Sequence, residues 1–254
     1  MAQKKQPIIR PILFALMMLF AVFAFFYWMF NIYFKTERPY YQGFGIRLPA
    51  QYRIHGIDVS RYQSRISWPD VKSMKVGDVA VGFVFIKATE GRNYVDPMFR
   101  RNWYHADAVE LTKGAYHFFD THSPGKAQAL NFIEIVDLSS GDLPPVVDIE
   151  KDNNVSAETW KKELKTCLDL IEAHYHTKPI IYTYANFYKN HLSGQFDDYP
   201  LWIAHYNNDD QPSTTRAWHF WQHNERGNIN GISHNVDFNV FNGDSTAFKN
   251  LLLY

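Results

Sequence analysis

With 254 residues the chain has room for one large domain or two small ones. Its 26 basic residues balance 26 acidic ones with no long run of either sign, which excludes the basic footprint of a nucleic-acid binder. Cys167 is the one cysteine, so no intramolecular disulfide can form. Aromatic residues make up 17% of the chain, more than a plain core needs and suited to stacking on flat ligands.

Residues 11–34 carry no charge, and 12–30 are unbroken apolar or aromatic sequence. At the helical rise these nineteen residues span about 28 Å, close to the hydrocarbon thickness of a bilayer. Lys4, Lys5 and Arg10 precede them without an acidic partner, so residues 1–10 are expected to stay in the cytoplasm as a basic tail. Tyr27, Trp28 and Tyr33 fall near the far end, where an aromatic belt lies. A cleaved signal peptide would have a shorter apolar run ending in small residues, whereas this run ends in Phe25-Phe-Tyr-Trp-Met-Phe. The spacing therefore predicts a single-pass signal anchor over 11–34, a linker over 35–53 and a domain over 54–254 that faces the periplasm or cell wall.

From residue 54 onward, eight short apolar or β-branched runs read as strands: 54–60, 79–88, 114–119, 145–150, 179–184, 201–206, 217–222 and 236–241. Helical patterns fall between them at 96–109, 123–136 and 156–175. In the last, Ser156 can cap, and Trp160, Leu164, Cys167, Leu168 and Ile171 form one apolar stripe. Cys167 is thus a packed small hydrophobe. Strand alternating with helix predicts a parallel sheet, and eight strands predict an α/β TIM-like barrel. After Tyr182 the strand spacing drops to about 20 residues or fewer, too short for packed crossover helices. The helical ring should be incomplete in the carboxyl-terminal third.

The segment Leu143-Pro-Pro-Val-Val-Asp-Ile-Glu carries the chemistry. Side chains alternate along a strand, so Asp148 and Glu150 share one side, at the carboxyl end where a barrel places its active site. Two carboxylates in a confined site cannot both ionise easily, which leaves an acid beside a base near neutral pH. Glycosidic cleavage needs that division of labour. Asp58, in the first strand, and Asp237, in the last, would be neighbours in a closed barrel. Tyr116, Tyr182, Trp202, Tyr206 and Trp221 are the candidates for sugar stacking. Eleven histidines raise the question of a metal. His219 and His223, however, stand about 13 Å apart on a strand, too far to share an ion, so no metal or other cofactor is expected.

Gly56-Ile-Asp-Val-Ser, Phe85-Ile-Lys-Ala-Thr-Glu-Gly, Gly114-Ala-Tyr-His-Phe, Val147-Asp-Ile-Glu, Trp221-Gln, Gly231-Ile-Ser and Val236-Asp-Phe-Asn-Val-Phe occur in that order. In this the chain resembles glycoside hydrolase family 25, the Chalaropsis-type lysozymes. The resemblance runs from residue 54 to 241 and does not touch the apolar segment. It implies a barrel with fewer than eight helices and cleavage of the β-1,4 bond between N-acetylmuramic acid and N-acetylglucosamine in peptidoglycan glycan strands, without metal. It also implies Glu150 as general acid, Asp148 as the partner that orients the N-acetyl group or stabilises an intermediate, and Asp58 and Asp237 as the rest of an acidic floor. His223 stands where the family often has tyrosine, which implies one altered sugar or peptide contact. Whether configuration at the anomeric carbon is retained or inverted stays open at this level. Two alternatives compete: a non-catalytic wall-binding module, against which the Asp148–Glu150 pair argues, and a metal-dependent peptidoglycan deacetylase.

Overall fold

The computed structural model describes residues 9–33, 38–206, 211–214 and 216–254. Lys4 and Lys5 of the expected basic tail lie outside these residues, as do residue 34 of the expected anchor and 35–37 of the expected linker. Helix α1 (Ile9–Tyr33) has a mean hydropathy of 2.4 over Ile12–Met29, long and apolar enough to cross a bilayer. The chain divides into two units after Arg38, with α1 in the first and everything from Pro39 in the second.

The expected linker is corrected by this division. Tyr40–Tyr41 and Ile46–Arg47 pair as a small antiparallel ribbon, and Phe44, Ile46 and Leu48 are buried. Phe44 packs edge-on against Phe238, with ring centroids 5.2 Å apart. Apolar side chains in this stretch find a face to bury, so residues 39–53 form a strap of the second unit.

Eight strands close into a barrel: β1 (His55–Val59), β2 (Val79–Glu90), β3 (Thr112–Phe118), β4 (Val146–Asp148), β5 (Ile180–Tyr184), β6 (Leu201–Ala204), β7 (Phe220–Gly227) and β8 (Val236–Phe241). Each of the eight expected strands is present. The sheet is parallel from β1 through β7. β8 runs antiparallel to both β7 and β1. Only eight residues join β7 to β8, enough for a hairpin but not for a crossover, and this reverses the last strand.

Helices α2 (Trp68–Ser73), α3 (Phe99–Ala108), α4 (Gly125–Ile135) and α5 (Ala157–Tyr175) cover the first half of the barrel. After β5 come one helical turn at Ala185–Phe187 and a π-helical turn at Tyr188–Leu192, and among the described residues no helix lies between β6 and β7 or between β7 and β8. The ring thins where the strand spacing predicts. α5 keeps its expected anatomy: Ser156 Oγ accepts from the Thr159 amide at 3.3 Å, and the stripe from Trp160 to Ile171 is fully buried.

Inside the barrel, Phe83, Phe85, Trp202, Phe220 and Phe241 fill the lumen, with Phe85 stacked on Trp202 at 4.3 Å. Such rings fit because glycines oppose them: Gly56 pairs with Phe83 and Gly114 with Phe85, and a Cβ at either glycine would overlap the ring. Helix α6 (Ser245–Leu251) closes the end opposite the strand carboxyl termini, its Phe248 against Phe83 and Phe241. The lumen is therefore a packed core, open only at the other mouth.

Candidate active site

At that mouth lies a cavity of about 270 Å³ whose lining includes Asp58, Asp148, Glu150 and Asp237. β4 delivers two of them. The Phe119 amide donates to the Asp148 carbonyl at 2.8 Å, and the Ile149 amide to the Tyr182 carbonyl at 3.0 Å, so the chain is held on both sides up to the last residue before Glu150. Val147 and Ile149 are fully buried in the outer layer, which turns Asp148 and Glu150 together into the cavity.

Asp148 is buried, whereas Glu150 is half-buried toward the opening. Burial pushes the carboxyl pKa of both above its ordinary range, and further for Asp148, where the Glu150 charge adds to the effect. Lys87 opposes the rise at both, and Lys151 opposes it at Glu150. The Lys87 ammonium is anchored by Glu90 at 2.6 Å and sits 4.7 Å from the centre of the Phe118 ring. Asp148 Oδ1 is enclosed and has no protein hydrogen-bond partner.

The other two acids face each other across the closing seam. Asp58, at the end of β1, is the register partner of Asp237, at the start of β8, because β8 is reversed. The two carboxyls hydrogen-bond to each other. Asp58 Oδ2 also accepts from Gln222 Nε2 at 2.8 Å and from Asn239 Nδ2 at 2.7 Å. Gln222 Oε1 in turn accepts from Tyr182 at 2.7 Å and Tyr206 at 2.6 Å, and Asn239 Oδ1 accepts from Trp202 Nε1 at 2.8 Å. Burial raises both acids, Asp58 to about 6 against its two amide donors, and Asp237 to about 9 with the Asp58 charge added. This order favours a single proton for the pair near neutral pH, on Asp237 rather than Asp58.

That proton has a stability consequence with a definite sign. A carboxyl raised in the folded state takes up a proton on folding, so its contribution is intact below about pH 4 and is lost as pH rises through the folded value. Asp237→Asn mimics the protonated form without the uptake. We expect the variant to be more stable than wild type by about 2 kcal/mol at pH 7, with little difference at pH 4. Melting curves at both pH values check this, and equal midpoints at pH 7 would remove the shared proton from the account.

Of the five expected aromatics, Tyr116, Tyr182, Trp202 and Tyr206 line the cavity. Tyr182 and Trp202 are nearly closed off and form its floor, while Tyr116 and Tyr206 keep partly open faces. Trp221 is a correction. It is fully buried in the outer layer, its Nε1 donating to the His205 carbonyl at 2.9 Å, because on β7 it is Phe220 and Gln222 that point inward. His223 shares that outward parity, packing near Trp221 and Phe238, so it replaces no contact in the cavity. His117 is a hydrogen-bonded strand residue as read, between Thr89 Oγ1 at 2.7 Å and Gln128 Oε1 at 3.2 Å.

Sequence reasoning missed Tyr62, Lys87, Tyr184, Gln222 and Glu225 in the cavity wall. Lys87 and Gln222 stand inside recognised motifs and lie two residues from inward-facing neighbours, so strand parity could have found them. Glu225 could not be found that way, because a β-bulge between Gln222 and Asn224 shifts the parity of β7.

The family model described as glycosyl hydrolases family 25 matches residues 57–232, which include both Asp148 and Glu150. The chain belongs to glycosyl hydrolase family 25. Among proteins related to this family-25 chain, YegX of Escherichia coli K12 is 46% identical over 212 residues, covering 84% of this chain and 78% of that one. Lysozyme M1 of Streptomyces globisporus is 35% identical over 209 residues, 76% and 69% of the two chains. The solved structure of a family 25 glycosyl hydrolase from Bacillus anthracis superposes with a TM-score of 0.74 at 35% identity, covering 80% of this chain and 95% of that one.

Proposed function

We propose that this family-25 chain is a muramidase that hydrolyses the β-1,4 bond between N-acetylmuramic acid and N-acetylglucosamine in peptidoglycan, with Glu150 as its general acid. The observation that carries the reading is the pair at the end of β4: two carboxyls of unequal burial in one aromatic-walled cavity at the barrel mouth. The likeness to Lysozyme M1 supports the substrate class.

In the unliganded cavity the proton shared by the β4 pair favours the deeper Asp148. An N-acetyl N–H arriving at the unpartnered Asp148 Oδ1 stabilises the anion there, which moves the proton preference to Glu150. Glu150 O–H then protonates the glycosidic oxygen and the C–O bond breaks. The acetamido oxygen, aligned by Asp148, closes on the anomeric carbon, and the Glu150 carboxylate takes a proton from the water that reopens it. Configuration is retained by this route. Asp58, held by Gln222 and Asn239, and Asp237 hold the floor beneath the sugar. Tyr116 and Tyr206 supply ring faces.

In the same reading α1 anchors the chain in the cytoplasmic membrane with the barrel on the wall side. Its supports are the apolar run of Ile12–Met29 and the cations that precede it. One experiment addresses both parts. Membranes carrying the full chain and washed in alkaline carbonate should release reducing ends from purified peptidoglycan, and mass spectrometry should place the new ends on muramic acid. Activity recovered only in the wash rejects the anchor, and new ends on glucosamine reject the bond.

A further inference from the structure

Next to the catalytic cavity lies a second, shallower groove of about 470 Å³, lined by Arg61, Tyr62, Ser64, Arg65, Pro97 and Met98. Tyr62, two-thirds exposed, belongs to both walls, so the groove continues the cleft past its rim. Its charge is the opposite of the cleft's. The catalytic cavity gathers acids, while the groove is lined by two arginines and no acid.

The groove is built by buried groups. Asp96 is buried and clamps both walls, accepting from the Arg61 amide at 3.0 Å through Oδ2 and from the Met98 amide at 2.9 Å through Oδ1. That uses its carboxylate on backbone and leaves the guanidinium groups facing out. Ser60 and Gln63 close a capping box around the turn, and Gln63 Nε2 donates to the Asn235 carbonyl at 3.0 Å. Ser64 is held at φ 56°, ψ −134°, a conformation that costs a residue with a side chain and persists only where its surroundings impose it. The Arg61 guanidinium lies 4.9 Å from the centre of the Tyr62 ring, fixed beside the shared wall. Arg65 makes no ion pair among the described residues.

We propose that this groove is a subsite for the acidic stem peptide that muramic acid carries on its lactyl ether, with Arg61 and Arg65 receiving its free carboxylates. A bare glycan strand carries one lactyl carboxylate per muramic acid, held close to the sugar ring, whereas a stem peptide leaves the sugar sideways and brings several carboxylates farther out. Guanidinium forks match carboxylates in a bidentate way. The inference rests on the muramidase reading and adds that the enzyme prefers peptide-bearing strands.

The test compares the full chain in detergent with its Arg61→Ala/Arg65→Ala variant on three substrates: intact strands, strands stripped of peptide by an amidase, and strands whose stem carboxylates have been converted to amides. The readout is the ratio of kcat/KM on intact strands to that on stripped strands. In wild type this ratio should exceed one, and the double variant should lower it about fivefold. Amidation of the stems should lower the wild-type rate similarly, and the variant's response to amidation should be lost. Equal melting midpoints establish that both proteins fold. A variant that keeps the wild-type ratio overturns the subsite, as does one that loses both substrates in equal measure. A wild type that releases no reducing ends from any strand overturns the muramidase reading and this inference together.

Discussion

Glu150→Gln should lower the rate of reducing-end release by about a thousandfold while strand binding stays within a few fold. Glutamine keeps the shape and the half-buried position but has no proton to give to the leaving oxygen, so the loss belongs in kcat. The same group sets the alkaline limb of the wild-type profile. Burial lifts the Glu150 carboxyl above its ordinary range against the pull of Lys151 and Lys87. The active form is the protonated one, so activity persists to higher pH than a solvent-exposed glutamic acid would allow and falls as pH rises through the lifted value. A Glu150→Gln variant that matched wild-type turnover would remove Glu150 from the role, whatever the fate of Asp148.

Gly125→Ala should lower stability by about 3 kcal/mol, or roughly 6–12 °C in the melting midpoint. Gly125 opens α4 where that helix meets α5. Its amide donates to Glu163 Oε2 at 2.7 Å, placing a carboxylate at the helix amino terminus. A methyl group there would overlap the Glu163 backbone carbonyl, which no rotamer change can relieve. The two helices would have to separate, and the Glu163 contact would lengthen with them. Lys126→Ala, an exposed substitution one residue on, should change stability by no more than about 0.5 kcal/mol. Indistinguishable melting of the Gly125 variant and wild type would mean the helices can slide apart freely.

The barrel is legible in the chain because its strands are punctuated runs rich in apolar, β-branched and aromatic residues, and because the spacing itself records where crossover helices stop. The direction of β8 was not read. Eight intervening residues permit a hairpin, yet only pairing reveals that Asp237 enters from the start of its strand rather than the end. The four acids were legible for different reasons: Asp148 and Glu150 by parity on one strand, Asp58 and Asp237 by the closure of first strand on last. Trp221 shows the limit of residue type as a signal. Tryptophan suits a sugar and a core equally, and the deciding fact is its phase: Trp221 is one residue from the inward-facing Gln222 and so points into the outer layer. Residues 39–53 read as a linker through their two prolines and two glycines, whereas three apolar side chains decide their fate.

Reversal of the final strand also decides which connection can vary. In an all-parallel barrel the link into the eighth strand starts at the catalytic end and must return beneath the floor, so its length is tied to a helix. Here residues 228–235 turn back at the rim itself, bonded to the arginine-bearing turn through Gln63 and to Ser67 through the Gly231 carbonyl at 2.9 Å. Doubling such a loop costs only about 0.6 kcal/mol in closure entropy. A relative could therefore grow a taller wall on one flank of the cleft, and so admit different decorations of the polymer, without rethreading the fold.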